Sequence, residues 1–263
     1  MGSATREALA RSVSALAGLG STADLATAED LFAAGRVVAD SAQLRAVLGD
    51  PTVSADGKAV LVKRVFASLS APAVELLTVV TAQRWSTHDD LLAGIEELGI
   101  RAIASSAPGD VDIVAELFAF GGAVTSDAGL ELALRSKLAP TSSKVALVER
   151  LLGSRASKQT VAIARQLVEQ PRGRSIRESL RAAARTVAAQ DGQTIATVYA
   201  AAPLPQAQAE RLRSVLSATY GDLKVNQVVD PSIIGGLRVQ IGDDVIDGSV
   251  ASRLAELRLQ LAG

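Results

Sequence analysis

Residues 31–66 read LFAAGRVVADSAQLRAVLGDPTVSADGKAVLVKRVF, and residues 117–152 read LFAFGGAVTSDAGLELALRSKLAPTSSKVALVERLL. Aligned without a gap at an offset of 86, about a third of the positions are identical. Leu31-Phe32-Ala33 falls on Leu117-Phe118-Ala119, Leu44 and Leu48 fall on Leu130 and Leu134, and Lys58, Leu61, Val62 and Arg64 fall on Lys144, Leu147, Val148 and Arg150. In both copies the apolar residues recur three and four apart, the spacing that puts them on one face of a helix. A period of this length marks a repeated structural unit. After a two-residue gap, Arg84 to Leu92 aligns with Arg172 to Leu180. The pattern predicts two helical units, 1–106 and 107–191.

Outward from the repeat, Leu9, Val13, Leu16 and Leu19 form a helical stripe near the N-terminus, and Val60, Leu61, Val65, Phe66 and Leu69 form another. Ser54 precedes the second stripe, and Thr87-His88-Asp89-Asp90 places an acid three residues after a hydroxyl, approximating a capping box. Pro51, Pro72, Pro108, Pro140 and Pro171 fall between stripes, where a missing N–H does least damage.

After Asp191-Gly192 the period changes. Thr194 to Tyr199 is β-rich, and a helix fits Gln206 to Thr219 with Leu212, Val215 and Leu216 on one side, ended by Tyr220-Gly221. Two further strands are predicted at Leu223 to Val229 and Leu237 to Ile241, with Val225, Val228, Val239 and Ile241 inward. Gly242-Asp243-Asp244 reads as a hairpin turn into Val245-Ile246. A last helix, Ser249 to Leu261, is striped by Val250, Leu254, Leu257 and Leu261 and capped by Asp247 or Ser249. The expected class is mainly α with a small α+β domain: N-terminal helical bundles, then a β-α-β-β-α domain over 192–263.

Bulk composition narrows the chemistry. With 27 basic and 28 acidic residues the net charge is −1, so no long-range field recruits nucleic acid or anionic lipid. There are no cysteines and one histidine, His88, which removes disulfides, thiol nucleophiles, cysteine–zinc sites and iron–sulfur clusters. The opening residues lack the basic-then-apolar order of a signal peptide. The longest uncharged stretch, Gly192 to Ala209, carries Pro203, Pro205 and several glutamines, which a helix crossing about 30 Å of hydrocarbon does not hold.

No stretch contains a phosphate-binding glycine loop; Gly18-Leu19-Gly20 lacks a third glycine and a preceding strand. His88 beside Asp89 and Asp90 suggests a base with its orienter, but sequence neighbours diverge around a helix, so a solvated first turn is the plainer reading. Thr141-Ser142-Ser143-Lys144 reads as helix-start chemistry, since its counterpart Ala55-Asp56-Gly57-Lys58 has no hydroxyls. Arg172-Gly173-Arg174-Ser175-Ile176-Arg177, with Arg181 and Arg185, is the densest basic patch. No aromatic is interleaved for base stacking, so a solvated helix start or an acidic protein surface is expected in place of nucleic acid. Asp230, Asp243, Asp244 and Asp247 could be imagined as a metal cluster, but turn and cap roles account for all four. No catalytic, cofactor-binding or metal-ligating residues are expected.

The most specific signal is Asp230-Pro231-Ser232-Ile233-Ile234-Gly235-Gly236-Leu237-Arg238-Val239-Gln240-Ile241-Gly242-Asp243-Asp244-Val245-Ile246-Asp247-Gly248-Ser249-Val250, followed by Arg253-Leu254. It closely resembles the C-terminal signature of the F-type ATP synthase delta subunit family, known in mitochondria as the oligomycin-sensitivity-conferring protein. That family's order of Asp-Pro, two apolar residues, Gly-Gly, alternating strand, Gly, second strand, Asp-x-Ser and a closing helix with Leu is matched throughout. The family-motif residues are Asp230, Pro231, Gly235, Gly236, Gly242, Asp247, Ser249 and Leu254, all structural in kind. Further back, Ser41-Ala42-Gln43-Leu44-Arg45-Ala46-Val47-Leu48 with Asp50-Pro51 and Lys58 resembles the family's helical bundle, and Ala128 to Leu152 resembles it again. The chain departs from the family in length, carrying nearly twice the usual helical region.

The resemblance implies a non-catalytic peripheral-stalk (stator) subunit. Its helical part would hold the N-terminal helix of an alpha subunit on top of the alpha/beta hexamer, and its C-terminal domain would hold the C-terminal region of the b subunits. It implies no cofactor, no nucleic-acid partner, membrane association only through the complex, and a place at the cytoplasmic face of the cell membrane. A helical adaptor of another kind is the alternative.

Overall fold

A computed structural model of the chain describes residues 2–262 except Lys137 and Asp243. The chain divides into two compact units, 1–187 and 188–263.

The first unit is helical. Its helices are α1 (Ser3–Leu19), α2 (Leu25–Asp40), α3 (Ala42–Gly49), α4 (Ala55–Val65), α5 (Ala71–Ala82), α6 (His88–Ser105), α7 (Ile113–Ser126), α8 (Ala128–Arg135), α9 (Thr141–Leu152) and α10 (Lys158–Glu169); α11 (Ile176–Gln190) carries the chain into the second unit. Short polar side chains start many of them. Asp24 and Thr27 form a reciprocal capping box, and Ser41, Ser54, Thr87, Asp112, Asp127 and Ser157 each accept a hydrogen bond from a free N–H in the first turn. Each such cap stabilises its helix by about 1 kcal/mol.

The sequence repeat reappears in the helix bounds. Shifted by 86 residues, α3 falls on α8, α2 ends where α7 ends, and α4 begins where α9 begins. α5 falls within a residue of α10, and α6 starts 88 residues before α11, matching the two-residue gap. The shift also carries the end of α1 onto the end of α6. Thus α6 matches the last helix of one set and the first of the next.

Burial repeats as well. Leu31 and Leu117, Leu48 and Leu134, Val62 and Val148, Phe66 and Leu152, and Leu77 and Ile163 are all core residues. Full burial of such side chains is worth about 1.5–3 kcal/mol apiece. Lys58 belongs to this core too: it is buried, and its Nζ donates 3.1 Å to the Thr81 carbonyl in the last turn of α5. Burial pushes its pKa down, while the carbonyl end of the helix supplies an acceptor for the ammonium.

The second unit runs β1 (Thr194–Ala200), α12 (Gln206–Tyr220), β2 (Leu223–Val229), β3 (Leu237–Ile241), β4 (Asp244–Asp247) and α13 (Val250–Ala262). The sheet order is β2-β1-β3-β4: β1 and β2 are parallel, with α12 between them in sequence, and the other pairs are antiparallel. The return arm Val245-Ile246 is itself a strand, so the order is β-α-β-β-β-α, one strand longer than predicted. Ala196, Val198, Leu216, Leu223, Val239 and Ile241 form its core. Of the predicted inward residues, Val239 and Ile241 are buried, Val225 packs partly against the core and Val228 is half-buried; Leu223 takes the buried place on β2. Asp243, predicted in the hairpin turn, lies outside the described residues, as do the side chains of Leu257 and Leu261 on the predicted stripe of α13.

Candidate interaction surfaces

The C-terminal motif folds into a clasp. Asp230 Oδ1 accepts from the N–H and Oγ of Ser232, and Asp247 Oδ1 accepts from the Ser249 N–H at 2.9 Å. These hydrogen bonds hold both carboxyl groups below the usual aspartate range. Ser249 then caps α13 by accepting from the Ser252 N–H at 3.2 Å. Between the two turns, Gly248 N–H donates to the Leu237 carbonyl and Val250 N–H to the Gly235 carbonyl. Gly236 lies at the centre: its φ is +76°, and a Cβ there would collide with the Gly248 carbonyl oxygen, so only glycine permits the approach.

The structure therefore brings Gly235, Gly236, Asp247 and Ser249 together, with Asp230 and Pro231 in the turn that leads in. Gly242 lies apart, at the hairpin between β3 and β4, with φ +58°. Leu254 projects from α13 and is half exposed. Among the described residues no group of acidic or histidine side chains is arranged to hold a metal ion.

Around this clasp the second unit leaves apolar side chains uncovered. Ile234 is 87% exposed, and Val229, Val245, Ile246, Val250 and Leu254 are each open to solvent. Val250 and Leu254 stand one turn apart on α13, and Ile234 adjoins the Gly235 carbonyl that holds the Val250 N–H.

In the helical unit the polar residues mark a joint. Arg172 and Arg174, in the turn before α11, both donate to Oε1 of Glu96, whose side chain is only 6% exposed on α6. The Arg174 contact is 2.7 Å. Arg172 adopts φ +46°, a left-handed conformation unfavourable for a side-chain-bearing residue, and the ion pair holds it there. The basic patch predicted to be solvated is thus partly internal: two of its arginines are drawn onto one buried acid. Both arginines share the one oxygen, Oε1, while Glu96 Oε2 and the two arginine Nε atoms are buried without a hydrogen-bond partner among the described residues, so the acid draws two guanidiniums by charge and compensates them only in part. The signal available in the sequence was a lone Glu96 at a core position of an otherwise apolar helix face.

A second joint ties α2 to α10. Arg36 donates to Gln166 at 2.8 Å and to Glu169 at 2.6 Å, and Arg165 approaches Glu29 at 3.6 Å. α2 also packs closely along α6: Gly35 passes over Ile95, and the Phe32 ring fills the space a Cβ on Gly99 would need. α2 therefore lies against α6 and α10 together. The counterparts of those two helices, α1 and α5, also pack on each other. Their residues at the matching positions, Leu9 and Val13 on α1 and Val79 on α5, are only half-buried.

His88 opens α6 and is exposed, its ring lying over Gly49; with Ala42, Arg45, Thr87 and Asp89 it lines a surface depression of about 460 Å³. Asp89 and Asp90 follow it in the first turn, where acidic side chains favour the helix dipole.

Fold and surfaces together define a helix-bundle protein with a small α+β unit, built around apolar faces and internal ion pairs. A profile of the family described as ATP synthase delta (OSCP) subunit matches residues 101–261. An ATP synthase subunit delta of Leifsonia xyli is 77% identical over the whole of both chains. One from Kineococcus radiotolerans is 39% identical over 90% of this chain and 88% of its own, and one from Streptomyces coelicolor 37% identical over 100% and 98%. A chain of the Toxoplasma gondii mitochondrial ATP synthase hexamer overlaps 64% of this chain and 95% of itself at 21% identity, with a TM-score of 0.38, too low to bear on the argument. The chain belongs to the ATP synthase delta (OSCP) subunit family.

Proposed function

We propose that this chain is the peripheral-stalk subunit that ties the catalytic head of an F-type ATP synthase to the b subunits, resisting the torque of rotation without catalysing any step. The observation that carries this reading is the division into two compact units, each with its own uncovered apolar surface. A tether needs two grips, and a rigid helical body with a separately folded small unit supplies them.

In this reading the domains are two helical repeats, 1–106 and 107–191, and a C-terminal domain, 192–263. The helical part takes the amphipathic N-terminal helix of an alpha subunit in a groove between helices. The C-terminal domain takes the C-terminal region of the b subunits on the apolar residues around the clasp, with Gly235, Gly236, Asp247 and Ser249 fixing their placement. Two modest contacts on one assembly multiply through effective concentration. Among the described residues no single helix is long and apolar enough to cross a membrane. The chain then meets the membrane through its partners, at the cytoplasmic face, and no nucleic acid or cofactor enters its work.

The test is co-elution of the full chain with the alpha/beta hexamer, beside a hexamer whose alpha subunits lack their N-terminal helix. The chain is expected to elute with the intact hexamer and separately from the truncated one. Co-elution with both, or with neither, would overturn the reading.

A further inference from the structure

We propose that the outward face of α11 is a docking surface for an acidic helix of another subunit, gripped by the arginine row Arg177, Arg181 and Arg185. This contact goes beyond the two grips of the tether reading; it rests on the chain being part of the synthase and does not depend on which unit holds the head.

The three arginines stand four residues apart on one exposed ridge of α11, about 6 Å between neighbours, while Ser179, Leu180, Ala183, Ala184 and Val187 form the buried side. Arg177 reaches Glu131 of α8 at 3.4 Å, whereas Arg181 and Arg185 make no ion pair among the described residues. Glu178, the acid beside the row, is engaged in its own turn. Its carboxylate accepts from the N–H and Oγ of Ser175 at 2.8 and 2.9 Å, which holds its pKa below the ordinary glutamate range.

The repeat shows that the fold does not require this charge. Moved back by the 88 residues that separate the start of α6 from that of α11, the row falls on Asp89, Ala93 and Glu97. The matching ridge is acidic in one copy and basic in the other. On α6 the acid is answered within the helix, since Glu97 pairs with Arg101 at 2.8 Å. The reversal extends over the whole repeats: 1–106 holds 9 basic and 12 acidic residues, and 107–191 holds 12 and 9. Acids of the second copy already have partners, for Asp127 caps α8, Glu116 accepts from Ser157, and Glu149 and Glu169 face Arg165 and Arg36.

The chemistry of the row selects carboxylates on a helix. Guanidinium forks pair with carboxylates through two parallel hydrogen bonds, and acids four residues apart on a facing helix repeat the same step of about 6 Å. One such pair in water is weak, and three along one crossing on a shared assembly reinforce one another. Ala182, Thr186 and Ala189 along the flank are small, so a second helix can approach closely. A membrane or a nucleic acid fits less well. No aromatic or large apolar side chain is exposed on α11 to enter lipid or stack on bases, and the acidic first repeat opposes a polyanion.

The experiment is zero-length carbodiimide coupling in the assembled synthase carrying Arg181→Lys and Arg185→Lys, which keep the charge and supply the amine that the reagent joins to a carboxylate. Mass spectrometry of the crosslinked peptides is expected to show amide bonds from positions 181 and 185 to two acids of one other subunit, about four residues apart in its sequence. Bonds confined to the chain itself, or none from either position, would overturn the docking surface and leave the tether reading intact. A synthase purified without even the unsubstituted chain would overturn both. In a second measurement, Arg181→Glu with Arg185→Glu should release the chain from the synthase about tenfold faster at raised salt. Lys63→Glu with Arg64→Glu, an equal charge change at exposed positions of α4, should leave release unchanged. Equal release by the two pairs would overturn the proposal, as would flotation of the isolated chain on phosphatidylglycerol vesicles that the α11 reversal abolishes, which would assign the row to a membrane surface.

Discussion

The two copies of the helical repeat share helix bounds but differ in their surroundings. α1 buries four residues, Thr5, Ala8, Ser12 and Leu16, along one stripe. α6, which occupies the equivalent place in the second copy, buries eleven, because helices pack on both of its sides. Glu96 with Arg172 and Arg174, and Arg36 with Glu169, form ion pairs at joints inside the chain; the residues of the first copy that match Glu96, Arg172, Arg174 and Glu169 are Ala10, Arg84, Ser86 and Gln83, which carry no acid. A buried acid of this kind is costly to leave alone, and the two arginines offset that cost in part.

The comparison can be broken by substitution. Phe32→Ala should be the most damaging, lowering stability by about 3–5 kcal/mol in urea unfolding, as expected for a fully buried ring. Phe118→Ala, at the half-buried counterpart, should cost less than half as much; equal losses would mean that the copies do not differ in packing. Glu96→Gln should cost about 3 kcal/mol, since it strands two arginines whose compensation came from that acid, and the thermal midpoint would report it. A neutral outcome would show that water compensates the two arginines.

Smaller changes sharpen the contrast. Gly99→Ala forces a methyl group against Phe32 and should cost about 1 kcal/mol net, after the helix preference of alanine is counted. In the second unit, Ser249→Ala removes the α13 cap and should cost about 1 kcal/mol. The weakest effect is that of pH. Asp230 and Asp247 have folded pKa values below their unfolded ones, so the unfolded chain binds more protons between the two. Their stabilisation of the small unit is present above the ordinary aspartate range and is lost as pH falls through the depressed values. Asp230→Asn and Asp247→Asn together should flatten that acid limb, and an unchanged limb would contradict the assignment.

Much of this architecture was legible in the sequence because it is local. The repeat foretold the register of the helices, Ser54 and Thr87 foretold their starts, and the glycine and acid spacing of 230–250 foretold a hairpin and cap that the structure closes into a clasp. The joints were not legible. A helical period names the face a residue lies on, not the neighbour it meets, and Glu96 finds Arg172 and Arg174 more than seventy residues away. The packing of α6 on both sides was hidden for the same reason: its apolar positions are dense enough for two stripes, and density alone does not say which helices meet them. Arg172-Gly173-Arg174 looked like surface because nothing in a basic run announces a buried acid elsewhere.

The central claim is that α6 is packed by helices on both sides while α1, its counterpart, is packed along one stripe, and native-state hydrogen exchange of the full chain tests it most directly. Amides in the middle of α6 should exchange at the slowest rates of the helical unit, and those of α1 markedly faster. Equal protection of the two helices, or slower exchange in α1, would contradict the account.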